Sequence, residues 1–187
     1  ELTPRAERYV PPPLGSSWVL TQHDTGSYGS GDNTIALQRG ERIWHGEKLI
    51  SFAYPGAALL ARPDGAWVTI VGRRRQIVSW NPPVNWDYPL EVGKTWTKSS
   101  SVTIHATKRT IPFSYTGKVE AYEDVTVPAG TFKAFKVHAT TTLGEDDTNW
   151  FSPQLGIFVK RHRVRTAKSA RGPGTRDVEL ASQDIVK

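Results

Sequence analysis

The chain has no cysteine, no methionine and no apolar run approaching the ~20 residues that a membrane-spanning helix needs. Without cysteine, disulfides, thiolate zinc sites and cysteine nucleophiles are excluded outright. Apolar residues do not recur at i, i+3, i+4 and i+7 in any stretch, so little helix is expected. The 16 glycines and 13 prolines among 187 residues point the same way and exclude a coiled coil. Apolar residues make up only 37%, but seven Trp, six Tyr and six Phe can furnish much of a core. The length suits one core and is short for two. A net charge of +6 is too small to indicate disorder, and nucleic acid is not an expected partner. That charge is concentrated, because residues 157–187 hold eight Lys or Arg against three Asp or Glu.

What is present reads as strand after strand. Trp18–His23, Thr34–Gln38, Arg42–Trp44, Lys48–Tyr54, Ala57–Arg62, Trp67–Val71 and Arg73–Trp80 have strand length and β-branched or aromatic content. Arg39-Gly40-Glu41, Pro55-Gly56 and Pro63-Asp64-Gly65 read as the turns between them. Asn81 to Pro89, with its Pro82-Pro83 pair, cannot continue a central strand and reads as a connection. Beyond it, Thr95–Thr107, Ile111–Tyr122, Thr131–Thr142, Asn149–Ser152, Ile157–Thr166 and Asp177–Ser182 follow. A weak duplication places Gly three residues before Trp at Gly15/Trp18 and again at Gly93/Trp96. The fold expected is all-β, with curved antiparallel sheets forming an incomplete barrel or two half-barrels. Residues 1–13 read as a Pro-rich spacer and 14–187 as a single β domain, with halves at 14–80 and 88–187. Glu1 in place of an initiator Met fits removal of a signal peptide. The expected location is therefore the periplasm, or the outer membrane as an anchored lipoprotein, of a Gram-negative bacterium.

The second half carries three ordered blocks. Pro89-Leu90 precedes Gly93 and Trp96; Val125-Thr126-Val127-Pro128-Ala129-Gly130-Thr131-Phe132 runs on to Lys136-Val137; Trp150-Phe151-Ser152-Pro153 runs on to Gly156-Ile157-Phe158 and Lys160. This order resembles a group of exported bacterial β-rich domains of unknown function, the DUF3108-like and TapB-like group, over residues 88–182. The resemblance implies fold and export. It implies no reaction, because it brings no catalytic residues with it.

Motifs for chemistry are sparse. His23, His45, His105, His138 and His162 form no short-spaced metal pair. Glu145-Asp146-Asp147 reads as a solvated hairpin tip, and Glu120, Glu123 and Asp124 lack any spacing that sets two carboxylates across a cleft. No G-x-S-x-G elbow occurs, and Gly26-Ser27-Tyr28-Gly29-Ser30-Gly31 lacks the Lys-Ser/Thr ending of a phosphate loop. No cofactor is expected.

The most unusual feature is Lys160-Arg161-His162-Arg163-Val164-Arg165. In a strand, Arg161, Arg163 and Arg165 share one face at about 7 Å spacing. Two readings stay open: a protected strand edge or pairing with acidic neighbours, or a stripe that binds an anionic group. Among the tryptophans, Trp44, Trp80 and Trp86 are the candidates for exposure and ligand contact, the last two flanking the Pro-Pro connection. The function expected is a non-catalytic binding or scaffold module for an apolar or anionic, lipid-like molecule or for an envelope protein. Two alternatives remain, an enzyme or carbohydrate-binding protein acting on envelope polysaccharide, and a purely structural interaction module. An aromatic cavity, two facing carboxylates, or a filled core with an exposed apolar patch would distinguish them.

Overall fold

A period of two runs along almost the whole chain. The computed structural model, which describes residues 2–187, accordingly consists of strands and turns and contains no helix among those residues. After the two-residue β1 (Arg5–Ala6), the first long series is β2 (Ser17–Gly26), β3 (Gly31–Trp44), β4 (Glu47–Tyr54), β5 (Ala57–Ala61), β6 (Trp67–Gly72) and β7 (Gln76–Val84). The short β8 (Leu90–Glu91) pairs with β1. The second series is β9 (Thr95–Ile104), β10 (Arg109–Val127), β11 (Gly130–Thr141), β12 (Glu145–Ser152), β13 (Ile157–Arg165) and β14 (Gly174–Asp184).

Each long strand pairs antiparallel with its neighbour in sequence, β7 pairs with β9, and β14 returns to β2. The twelve long strands thus form one closed barrel, where an incomplete barrel or two half-barrels had been expected. The two seams are unlike. The β7–β9 seam runs only from Val78↔Ile104 to Asn81↔Ser101, whereas β14–β2 runs from Gly174↔Gly26 to Asp184↔Ser17. Closure satisfies the backbone of β2 and β14, which an open sheet would present as two bare edges. Three further expectations are corrected. Arg39-Gly40-Glu41 is not a turn; Gly40 pairs with Ser51 inside the continuous β3. Pro82 and Pro83 lie within β7, but at a bulge where neither has a ladder partner, so the missing amide donor is not needed. Glu145 to Asp147 open β12, and Asp147 is buried.

Alternation sorts the residues of β10 and β11. Val119, Phe135 and Val137 turn inward and meet Phe151, Trp96, Leu90 and Ala6 in one cluster. Phe135 is 1% exposed, and burying such a side chain contributes roughly 1.5–3 kcal/mol. A second cluster gathers Trp18, Val125, Ala134, Val159 and Leu180, and a third Leu49, Leu60 and Val71. Outside, the hydroxyls of Thr97 and Thr116, Ser99 and Ser114, and Thr103 and Thr110 pair across β9 and β10 on the exposed face. Along β9 and β10 the outer face therefore carries hydroxyls, the reverse of a lipid-facing barrel wall. No helix is long and apolar enough to cross a membrane among the described residues.

The N-terminal stretch read as a spacer lies against this barrel. Ala6 and Pro12 are buried, and the Tyr9 ring sits 6.0 Å from that of Phe151. Gly65 and Gly156 make the approach possible, since a Cβ on Gly65 would stand 2.8 Å from the Tyr9 ring and one on Gly156 2.4 Å from the Val10 carbonyl oxygen.

Candidate functional site

Strand β13 is flanked on both sides, by β12 and β14, so the basic strand is neither an edge nor a projection beyond the core. Its register pairs Arg161 with Asn149, Arg163 with Asp147 and Arg165 with Glu145. Asn149 and Asp147 are buried, as is Val178 opposite Arg161 on the other side, whereas Asp177, opposite His162, is exposed. Arg161, Arg163 and Arg165 therefore share a face, as their spacing requires, and that face is the inner one.

Inside, each arginine meets a different partner. Arg163 Nε donates to Asp147 Oδ2 at 3.1 Å, and the Val164 amide donates to the other oxygen. Arg161 has no carboxylate partner among the described residues; its Nε donates to the neutral Asn149 Oδ1 at 2.8 Å, and its guanidinium lies 4.6 Å from the Phe158 ring centroid. Arg165 donates to the Ser27 carbonyl at 3.0 Å and stacks on Tyr28 at 3.7 Å. A fourth arginine, Arg176 of β14, stacks on Tyr28 at 4.7 Å. It grips Asp24 with two bonds, Nε to Oδ1 at 2.8 Å and Nη2 to Oδ2 at 2.9 Å. The β2–β3 turn thus lays the Tyr28 ring among the guanidinium groups, with its hydroxyl buried and unpartnered among the described residues.

The electrostatics follow from this geometry. Burial, reinforced by the nearby Arg163 charge, holds Arg161 below the usual arginine range, and Asp147 only partly offsets it. Burial opposes the charge of Arg163 too, but Asp147 and Glu145 outweigh it and its pKa is raised. Burial also lowers Arg165. Asp24 lies below the usual carboxylate range, chiefly because Arg176 bonds to it. Four guanidinium groups share the carboxylates of Asp24, Asp147 and Glu145, which leaves an excess positive charge at Arg161.

The tryptophans proposed for ligand contact are dispersed. Trp44 packs on the cluster of Leu49, Leu60 and Val71, edge-on to His45 at 4.7 Å. Trp80 leans on Trp67 at 5.8 Å. Trp86 joins the inner cluster, edge-on to Phe158 at 5.4 Å, and also lines an open cleft of about 470 Å³. The structure thus brings Arg161, Arg163 and Arg165 together on one face; of the three tryptophans Trp86 approaches them, with Phe158 between it and Arg161.

The acids considered for hydrolysis are committed elsewhere. Glu120 pairs with Lys136, Glu123 accepts from Trp150 Nε1, and Asp124 pairs with Lys133. A second cleft, about 330 Å³, contains Asp32, Asp177 and Glu179 on the outside of the barrel. There Asp32 bonds to His23 and Asp177 to His162, each at 2.6 Å, with Asp32 87% and Asp177 50% exposed. Such solvated carboxylates lack the burial that tunes an acid and a base apart. Sequence reasoning missed Asp24, Asp147, Arg176 and Tyr28. Asp147 and Asn149 could have been found, since both share the parity of buried Phe151; Asp24 and Arg176 depend on the β14–β2 closure and could not.

No protein-family model matches the chain, and no curated protein matches it. The DUF3108-like and TapB-like resemblance thus rests on its sequence blocks alone. Solved structures do match. A Bacteroides fragilis protein assigned as exported, with a YmcC-like fold, superposes with a TM-score of 0.52 at 13% identity, covering 96% of this chain and 100% of that one. A protein of Parabacteroides distasonis assigned as a lipoprotein gives 0.49 at 12% identity, covering 96% and 99%. The hypothetical lipoprotein YmcC of Escherichia coli gives 0.47 at 15%, covering 90% and 89%. At such identities the likeness is one of fold, and the Bacteroides fragilis structure carries it: over nearly its whole length this chain is similar in fold to a YmcC-like protein.

Proposed function

We propose that the protein is an exported, non-catalytic binding module of the bacterial envelope. It seats an anionic group of phosphate or carboxylate chemistry against Arg161, Arg163 and Arg165 at the inner face of the barrel. The observation that carries this reading is Arg161, an inward guanidinium with a neutral hydrogen-bond partner and a second cation beside it. Holding such a charge without a counter-charge is unfavourable, and an arriving anion relieves it. Export is supported by the fold shared with the Bacteroides fragilis protein assigned as exported. The commitment of Glu120, Glu123 and Asp124 to other partners supports a non-catalytic role. A lipid headgroup and a free anion offer the same chemistry. Because the interior is filled by side-chain clusters, only the headgroup would enter and acyl chains would stay outside.

The test is thermal unfolding with inorganic phosphate and, separately, with dihexanoyl phosphatidate, at constant ionic strength. Binding raises stability by about 2.7 kcal/mol when the ligand is at 100 times its dissociation constant. A rise with both ligands that disappears in Arg161→Met supports the site; a rise with phosphatidate alone assigns it to lipid. No rise with either removes the anion-binding reading. Cell fractionation of the full-length gene product tests export, and recovery in the cytoplasmic fraction alone overturns it.

A further inference from the structure

The cleft beside Trp86 is built from different chemistry. It is lined by residues 85–88, by Arg8 and Tyr9 of the N-terminal stretch, by Pro63 and Asp64 of the β5–β6 turn, and by Lys98. Its aromatic surfaces are fixed before any ligand arrives. Trp86 is braced by Phe151 at 6.0 Å, Phe158 at 5.4 Å and Trp96 at 6.3 Å, and Tyr9 by Phe151 at 6.0 Å. Burial raises the phenols of Tyr9 and Tyr88 well above their ordinary range, so both remain neutral hydroxyls.

The polar groups are equally well placed. Lys98 Nζ donates to Asn85 Oδ1 at 3.1 Å and stands 3.6 Å from Asp87 Oδ1, so that amide and carboxylate are held in position while the Asn85 amino group stays free to donate. Asp64 gives one oxygen to the Ala66 amide and keeps the other. Arg8 has no ion-pair partner among the described residues and adds donors at the rim. Two basic and two acidic side chains face the cleft, so its formal charge balances.

We infer that this cleft is a binding site for a stretch of neutral polysaccharide, stacked on Trp86 and Tyr88 and hydrogen-bonded by Asn85, Asp64 and Arg8. A pyranose ring has an apolar face for an aromatic surface and hydroxyls that both donate and accept, which matches a charge-balanced rim of mixed donors and acceptors. A phosphate or other compact anion would meet the Asp64 carboxylate, and Lys94 and Lys98 are already engaged by Asp87 at 3.3 and 3.6 Å. A hydrocarbon tail would leave Asn85, Asp64 and Lys98 desolvated and unpaired. An open cleft of about 470 Å³ suits a chain passing through better than one enclosed sugar. A pre-set aromatic floor loses little conformational freedom on binding. The inference stands apart from the arginine site, which lies beyond Phe158.

Affinity electrophoresis in native gels containing dextran, laminarin or alginate tests it. The wild-type protein is expected to be slowed by dextran or laminarin. Asn85→Ala and Arg8→Ala, which each remove a polar side chain lining the cleft and are expected to melt with the wild type, should each weaken that retardation at least fivefold. Arg161→Met should leave it unchanged, so loss of the anion site and loss of this one are told apart. Retardation by alginate alone marks nonspecific attraction of an acidic polymer to a basic protein and overturns the inference. So does retardation by none of the three, or retardation equal in wild type and in both cleft variants.

Discussion

Arg161 and Phe158 are stacked, with the guanidinium carbon 4.6 Å from the ring centroid. The same ring takes Trp86 edge-on at 5.4 Å and Phe151 at 5.7 Å. One phenylalanine therefore faces the aromatic cluster on one side and the arginine array on the other. A β-bulge makes this possible. Between Phe158 and Lys160 the β12–β13 register slips by one residue, which puts Phe158 and Arg161 on the same face although they are three apart in sequence.

Arg161→Met is expected to leave stability within about 1 kcal/mol of the wild type, because it removes an uncompensated inward charge and keeps an apolar stem against Phe158. The lost bond to buried Asn149 works the other way, at about 1 kcal/mol. Urea unfolding in an anion-poor buffer measures the balance. A loss well above 2 kcal/mol would make Arg161 a structural member of the network and leave nothing for an anion to relieve.

Asp147→Asn is the opposite case. Here the cation loses its counter-charge while the shape is kept. Breaking a buried pair costs about 3–5 kcal/mol, but the Arg163 side chain is 24% exposed and Asp147 11%, so screening reduces the expected loss to roughly 1–3 kcal/mol. Inorganic phosphate should restore part of that stability in the variant. A variant as stable as the wild type would show that Arg163 finds its compensation elsewhere.

Asp24 gives the fold an acid-sensitive contribution. Its pKa is depressed in the folded state, first by the bonds from Arg176. The unfolded chain therefore binds the proton more readily, and stability falls as pH falls. The contribution is complete above the ordinary value of 3.8 and is lost as pH drops through the lower folded value. The stability gap between the wild type and Asp24→Asn should be constant above about pH 5 and should narrow below pH 4. A gap that stays constant down to pH 2 would mean that the carboxylate charge is not what Arg176 stabilises.

The strands were legible because each carries its own alternation: from Phe135 to Ala139, inward residues can be picked out with no knowledge of the partner strand. The common face of Arg161, Arg163 and Arg165 was legible for the same reason. The direction of that face was not. It depends on Asp147 and Asn149 across one ladder and on Val178 across the other, and then on β14 meeting β2 about 150 residues away in the chain. Parity is a local property, whereas closure is a global one. The Pro-Pro connection hid the opposite fact: Pro82 and Pro83 exclude ladder bonds at their own positions, but a bulge lets the strand pass through them to Val84. Trp86, one of the three tryptophans singled out, lines a cleft walled in part by the N-terminal stretch at Arg8 and Tyr9, and no periodic signal announces that this stretch folds back.

Gly117 links the barrel wall to that cleft. It pairs with Trp96 across β9 and β10, and the indole lies directly over it; a Cβ there would stand 2.2 Å from Cζ2 and 2.3 Å from Cε2. Trp96 in turn supports Trp86 at 6.3 Å. The constraint is one of space, so Gly117→Ala must push the indole into the side chains of the inner cluster. Overpacking of this kind costs typically about 1–3 kcal/mol, and the displacement should pass to Trp86 and show as a change in near-UV circular dichroism. Wild-type melting with an unchanged aromatic spectrum would mean that Trp96 has another rotamer available, and that the floor of the cleft is less firmly fixed than its contacts indicate.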